Sequence, residues 1–452
     1  MKLIYDVKDR PSLGKVIIFA FQQLLAILAA TIAVPTIVQN GMSQSAALFG
    51  AGIGTIVYLL FTKFRSPAFL GSSFAFIGSM LAAFAGGVSM QLGYVGLILG
   101  AIFAGLVYVI IAIAVKFAGV GWVNKLMPAV VIGPTVSIIG LSLAGNAVSD
   151  ITKGKVLNAD GASAANPLVC LVCGLITLLV VTICSVYGKK MVKLIPFIIG
   201  ILAGYAAAAI FTVIGIATDN QSLQIINFEV FRSMSIVEVP DFTFIEAAKG
   251  INEINGHYIA TIAVAYVPVA FVVFAEHIAD HKNLSSVIER DLLKEPGLHR
   301  TLLGDGVGSM AGAVFGGCPN TTYGESVGCV AITGNASVVT ILATAIMSIV
   351  ISFFGPFVTF LSTIPNCVMG GVCVTLYGFI AVSGLKMIQE VDLNDNRNLF
   401  VVAVILICGI GGLTVSFGKV TITSIACALI LGIITNVILS GKKKNAEVTE
   451  AE

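Results

Sequence analysis

The sequence predicts an all-α polytopic membrane protein, with fourteen transmembrane segments in two inverted repeats of seven. Three observations predict it. The 452-residue chain is 57% hydrophobic and only 11% charged, with a mean hydropathy of +1.02; a soluble domain carries about 25% charged residues. Its apolar residues fall into runs of roughly 20, the length that crosses a bilayer as a helix. Each half also holds one run interrupted by Pro, Gly and polar residues, at 66–76 and 316–334. Corresponding, interrupted segments in two halves point to an inverted-repeat transporter with its site between them.

Taken in order, a charged N-terminus at 1–15 has no cleavable signal pattern. The first repeat covers 16–144 (spans one to five) and 168–216 (spans six and seven). Its spans are 16–38, 46–61, a short 68–84, 92–115, 126–144, 168–187 and 194–216. A polar, acidic loop at 217–257 follows. The second repeat, 258–439, holds 258–279, 302–315, a short 323–333, 338–361, 367–383, 399–415 and 421–439, before a tail at 440–452. On this count both termini share one side, together with twenty of the 25 basic residues. Lys153, Lys155, Arg232, Lys249 and Lys419 fall on the other. Basic residues gather in cytoplasmic loops, so both termini are expected in the cytoplasm and the 217–257 loop outside.

The halves echo each other. Pro128 and Gly133 open the fifth span of the first half, and Pro365 and Gly370 that of the second. Pro35 and Pro268 interrupt the first span of each. An odd number of spans per repeat turns the second repeat upside down. The formal net charge of +2 makes nucleic acid an unexpected partner; the lipid bilayer is the expected one. The nine cysteines sit almost all in apolar runs, and Cys170-x-x-Cys173 has no His or second Cys pair nearby. They read as core residues rather than a metal or redox centre.

Chemistry concentrates at the broken runs. In Pro319-Asn-Thr-Thr-Tyr-Gly-Glu325, Pro319 breaks the helix and Asn320 to Thr322 favour extended backbone. Such backbone is tolerated at membrane depth only where protein buries it or it lines a cavity. A carboxylate at the bilayer centre costs about 2.5–3.5 kcal/mol or more and marks function by default. Glu325 is one such group, and Glu276 another. Asp280 follows Glu276 by four residues and so shares its helix face. His277 and His281 form a second such pair, rotated by about 100°, and read as interface or packing residues. Half-helices that start after broken backbone expose unpaired N–H groups with partial positive charge; here these are the amides around Ser73, Phe74, Gly324 and Glu325. Backbone donors facing carboxylate acceptors suit a small neutral ring with alternating N–H and C=O groups, such as a nucleobase. A simple cation fits the donors poorly, and an anion fits the carboxylates poorly. Phe74 and Tyr323 are candidates to stack on that ring, and Tyr377 to close the pocket. No metal-ligand cluster or nucleophile motif suggests an enzyme.

At these residues the chain resembles the nucleobase–ascorbate transporter family, also called nucleobase–cation symporter family two, and looks most like its bacterial uracil permeases. The resemblance covers nearly the whole chain. It rests on Phe69-Leu-Gly-Ser-Ser-Phe-Ala-Phe76, Glu276-His-Ile, Asp291-Leu-Leu-Lys-Glu-Pro-Gly-Leu-His-Arg300 and Pro319-Asn-Thr-Thr-Tyr-Gly-Glu325. The family signature reads here Glu325-Ser-Val-Gly328, then Thr333-Gly334. The resemblance implies short strands in spans three and ten. It implies a core domain of spans one to four and eight to eleven, and a gate domain of spans five to seven and twelve to fourteen. It implies that Glu276 and Glu325 accept ring N–H groups while the amides of Phe74 and Gly324 donate to ring carbonyls. Three residues depart from the uracil-permease pattern. Ser326 stands for Asn, Asp280 for His (as in purine-transporting relatives), and Gln22-Gln23 for Gln-His.

The expected function is therefore proton-coupled import of uracil by alternating access, with Glu276, Asp280 and Gln23 in the coupling network. No cofactor is expected beyond the proton as coupling ion. Xanthine or another purine is the alternative substrate, and an anion exchanger or channel a more distant alternative. The resemblance also implies the bacterial cytoplasmic membrane as location and a homodimer through the gate domain.

Overall fold

A computed structural model describes residues 3–119, 121–122, 127–158, 163–417 and 420–449. Lys2, Lys125 and Lys419, the first residue of the expected fifth span and the last three residues of the tail lie outside them. The described chain is mostly helical. In order it runs α1 (Leu13–Val38), α2 (Gln44–Phe61), β1 (Leu70–Ser72), α3 (Ile77–Ala83, preceded by a tight turn at Phe74–Phe76) and α4 (Met90–Ala118). Then come α5 (Ala129–Ser142, continued by Ala144–Asp150), α6 (Pro167–Tyr187), α7 (Pro196–Ala217) and the loop helix α8 (Thr243–Gly250). The second half holds α9 (Gly256–Ile288), α10 (Leu298–Gly316), β2 (Asn320–Thr322), α11 (Gly324–Thr333), α12 (Val338–Ile351), α13 (Asn366–Ile388), α14 (Asn396–Ile410), β3 (Val415–Phe417), β4 (Val420–Ile422) and α15 (Ser424–Thr449). Eight of the helices are long and apolar enough to cross a membrane, and four more apolar helices are shorter, among the described residues.

Local chemistry sets the helix ends. Ser43, Ser89 and Asn255 accept the backbone N–H groups of Ala46, Leu92 and Tyr258, which caps α2, α4 and α9. Gly317 (φ 72°) and Gly334 (φ 65°) end α10 and α11 in the left-handed region, where a side chain would be strained.

Four stretches depart from the expected spans. Neither Pro35 nor Pro268 interrupts its helix: α1 continues through Pro35 to Val38, and α9 runs 33 residues through Pro268; the missing N–H is tolerated inside a packed membrane helix. The expected span 338–361 breaks after Ile351, and a new helix starts at Gly355-Pro356. The break pairs with the outer loop: Glu238 N–H donates to the Phe353 carbonyl and Gly355 N–H to that of Ile236. The expected span 399–415 is helical only to Ile410, and β3 and β4 form an antiparallel hairpin after it. Val415-Ser-Phe and Val420-Thr-Ile are the β-branched alternation that a hairpin favours.

The helices pack in two groups. In one, α2 and α4 lie on α10, α12 on α1 and α2, and α9 on α4, with the β1–β2 pair inside. In the other, α13 packs on α5 and α6, α7 on α6, and α14 on α5 and α15. A smaller apolar cluster around Tyr58, Phe69, Leu70, Leu284, Tyr323 and Val330 encloses the strands. Glycine sets the closest approaches. A methyl at Gly54 would lie 2.8 Å from the Gly308 carbonyl oxygen, and one at Gly308 would lie 2.7 Å from that of Gly54. One at Gly50 would collide with the Gly312 carbonyl. In lipid, where association cannot draw on the hydrophobic effect, such small residues let backbones touch.

Gly308→Ala is expected to destabilise the protein by about 1–3 kcal/mol through overpacking, seen as a lower unfolding temperature in detergent. Gly145→Ala, with nothing within 4 Å, should leave it unchanged.

Candidate functional site

Two three-residue strands meet in the interior. Leu70, Gly71 and Ser72 pair antiparallel with Thr322, Thr321 and Asn320. Ser73 N–H donates to the Pro319 carbonyl (2.9 Å) and Tyr323 N–H to that of Phe69 (3.2 Å). Strands this short leave backbone edges that must be satisfied without water, and side chains supply the partners. Thr55 Oγ1 accepts from Leu70 N–H (2.9 Å). Ser326 Oγ accepts from Phe69 N–H (3.2 Å) and from Gln23 Nε2 (2.6 Å). Tyr323 hydroxyl donates to the Ser72 carbonyl (2.8 Å), and Asn320 Nδ2 to that of Gly50 (3.0 Å).

Each strand hands over directly to a half-helix. Ser73 and Tyr323 both have extended backbone, and neither half-helix has a side-chain cap. The first amides of Phe74–Ala83 and of α11 are therefore available, with the partial positive end of each helix behind them. Phe74, Gly324, Glu325, Gly328, Glu276 and Asp280 all keep some exposure, although Ser73, Ala75, Tyr323, Ser326, Ala275 and His277 are buried. Glycine widens this space. A methyl at Gly328 would meet nothing within 4 Å, and one at Gly324 only Asp280 Oδ1 at 3.8 Å.

Glu276 and Asp280 on α9 and Glu325 on α11 come together here, since α9 packs on α11 and Asp280 Oδ1 lies 3.8 Å from a methyl built at Gly324. Glu276 makes no hydrogen bond or ion pair to another described residue. Asp280 Oδ2 accepts from Thr322 Oγ1 (2.9 Å). The Tyr377 ring stands edge-on to Phe74, 5.9 Å between centroids, and joins the second helix group to the site. The remaining expected residues lie behind it. Ser73 is 1% exposed, and its hydroxyl has no protein partner. Tyr323 is 4% exposed and packs on Gly71 beneath the strands. Gln23 braces α1 against α11 through Ser326.

A second polar cluster lies deeper. His277 and His281, read from sequence as interface or packing residues, are fully buried and hydrogen-bonded. His277 Nδ1 lies 2.6 Å from Asp305 Oδ2, and its Nε2 3.0 Å from Thr301 Oγ1. His281 Nδ1 donates to the His277 carbonyl (2.8 Å), and its Nε2 lies 2.7 Å from the Tyr58 hydroxyl. Sequence reasoning missed Asp305. The signal was there: Gly304-Asp305-Gly306 places an acid inside an apolar span.

A family model described as "Permease family" matches residues 14–417. The chain belongs to the nucleobase–ascorbate transporter family of permeases. It is 39% identical over 449 residues to the uracil permease of Bacillus caldolyticus, covering 99% of this chain and 97% of that one. It is 34% identical over 429 residues to the uracil permease of Escherichia coli strain K12, covering 94% and 92%. Among solved structures, the transmembrane domain of the cyanobacterial bicarbonate transporter BicA matches with TM-score 0.63 and 16% identity, over 94% of this chain and 97% of that one. The murine Slc26a9 anion transporter in its inward-facing state matches with TM-score 0.65 and 12% identity, over 96% and 69%. Identities that low speak for the fold alone. As a member of a permease family, the protein is a multi-pass membrane transporter, not an enzyme.

Ser326→Ala should strip two buried donors, the Gln23 amide and Phe69 N–H, of their acceptor. The expected loss is about 1–3 kcal/mol, read as a lower unfolding temperature; an unchanged value would show that Ser326 does not hold the strand edge.

Proposed function

We propose that the protein is a proton-coupled symporter that imports uracil by alternating access across the bacterial cytoplasmic membrane. One observation carries this: two uncapped half-helix starts, at Phe74 and at Gly324 with Glu325 beside it, both lie against α9, the helix that carries Glu276 and Asp280, with open room at Gly324 and Gly328. Uracil offers two ring N–H groups and two carbonyls in alternation, and so matches two carboxylates and two amides. Glu325 and Glu276 accept, the amides of Phe74 and Gly324 donate, and Phe74 with Tyr377 closes over the ring. Relatives that match nearly end to end are named uracil permeases. A proton bound with the substrate neutralises one charge of the carboxyl pair at Glu276 and Asp280.

The same proposal takes the first helix group as the core and the second as the gate, with fourteen spans in inverted repeats. Reciprocal packing supports the repeat: α2 lies on α10 and α12, as α10 lies on α2 and α4. The bias of basic residues supports cytoplasmic termini. The gate's α6 and α7 expose Leu179 (59%) and Leu202 (52%), which suits lipid or a second copy; absence of dimers on cross-linking in native membranes would dispose of the homodimer.

Uptake into proteoliposomes should follow an imposed inward proton gradient, and accumulation independent of the gradient would sink the coupling. Glu325→Gln should abolish uracil binding by calorimetry; unchanged affinity would refute its role as acceptor. A second reading rests on Asp280, whose Oδ1 faces Gly324 and adds a third acceptor. A purine such as xanthine has a third ring N–H for it. Competition between uracil and xanthine decides: displacement of bound uracil by equimolar xanthine would favour the purine.

A further inference from the structure

We propose that Tyr108, on α4, relays the coupling proton between Glu276 in the substrate pocket and the sealed Asp305–His277 pair. The inference rests on the proton-coupled reading above and assigns the route inside it.

Counting hydrogen bonds locates the proton. The Thr301 hydroxyl donates to the Leu298 carbonyl (3.0 Å), so it has no proton left for His277. His277 Nε2 must then be the donor to Thr301 Oγ1. The 2.6 Å contact between His277 Nδ1 and Asp305 Oδ2 needs a proton of its own, on one atom or the other. The pair therefore stores one exchangeable proton. It is closed off, since His277 is 0% and Asp305 1% exposed. Its other contacts are committed, except at Asp305 Oδ1, which has no protein partner.

Tyr108 supplies the complementary atom. It is 4% exposed, and its hydroxyl also lacks a protein partner. Its ring stands edge-on to His277 at 6.2 Å. Its Cβ packs on Gly306, where an added methyl would lie 2.7 Å away. Packing sets the phenol between the two helices that carry the acids: α4 lies on α9 and α10, and the Tyr108 ring meets His277, which follows Glu276 in the chain and holds Asp305. Glu276, His277 and Asp280 of α9 and Asp305 of α10 are the titratable groups it faces; Lys116 lies two turns along α4 at an exposed end. Buried polar atoms are as a rule paired. A buried phenol with an unpaired hydroxyl, packed on the histidine that holds an orphaned carboxylate oxygen, is more than bulk, because phenylalanine fills the same space. One bridging water is the usual partner for such atoms.

The transfer balances without an outside reagent. The Asp305–His277 pair gives up its proton through the water to a lone pair of the phenol oxygen as the phenol O–H breaks and protonates the Glu276 carboxylate. Tyr108 ends as it began; the Asp305–His277 pair as a whole gains the negative charge that Glu276 loses. The reverse sequence reloads the pair.

The test uses Tyr108→Phe in the full-length protein, reconstituted beside wild type. Three quantities are compared: equilibrium uracil binding, exchange of labelled for unlabelled uracil without a gradient, and uptake driven by a proton gradient. Binding and exchange should persist, and the driven rate should fall by about a hundredfold, the scale of a lost proton-transfer group. Asp305→Asn should show the same split. Driven uptake in Tyr108→Phe equal to wild type overturns the relay alone. Loss of binding overturns it too, since Tyr108 would then be a structural or pocket residue. A wild type that ignores the gradient removes the symport reading and the relay together.

Discussion

Everything at the centre of this protein depends on six residues of β-structure held without water. Leu70–Ser72 and Asn320–Thr322 pair only with each other, so their outer edges must find partners in the protein. Thr55, Ser326 and Tyr323 provide them from α2, α11 and the strand end. The placement of these residues follows from that demand. Because the pair is antiparallel, the two half-helices leave it in opposite directions from its two ends, and both uncapped starts lie against α9. A donor surface thus arises from backbone alone.

Acidic side chains complete the site from a neighbouring continuous helix. α9 brings Glu276 and Asp280 on one face and His277 and His281 on another. The first pair borders the open space and the second is sealed among Tyr58, Thr301 and Asp305. One helix therefore carries an exposed polar layer and a buried one, separated by its own backbone. The buried layer gains its rigidity from paired hydrogen bonds, which inside a protein are costly to leave unmade.

Much of this was legible in the residues. Hydropathy marked the membrane class, and the broken runs marked both strands. Glu276, Asp280 and Glu325 stood out as acids in apolar sequence, and the structure gathers them. The differences have physical causes. Tyr323 was a candidate to stack on the ring, and the structure shows it 4% exposed with its ring on Gly71, a placement set by contacts between the two broken runs. Asp305 sits in an unbroken helix, where the cue was one acid without a neighbouring break. Val415–Ile422 reads as apolar span, although its β-branched alternation forms a hairpin. Pro268 reads as an interruption and is absorbed by α9.

Composition and periodicity by themselves determined that this chain lives in a membrane, that its helices approach through glycine, and that its backbone breaks at the two corresponding runs 66–76 and 316–334. These follow from the bilayer as solvent, which acts on each segment separately. Only the tertiary structure decided which side chains share a space. Packing leaves Glu325 and Gly328 partly open, buries Tyr323 against Gly71, and seals Asp305 on His277. Those outcomes depend on contacts between residues hundreds of positions apart, such as Gln23 with Ser326, and no local pattern encodes them.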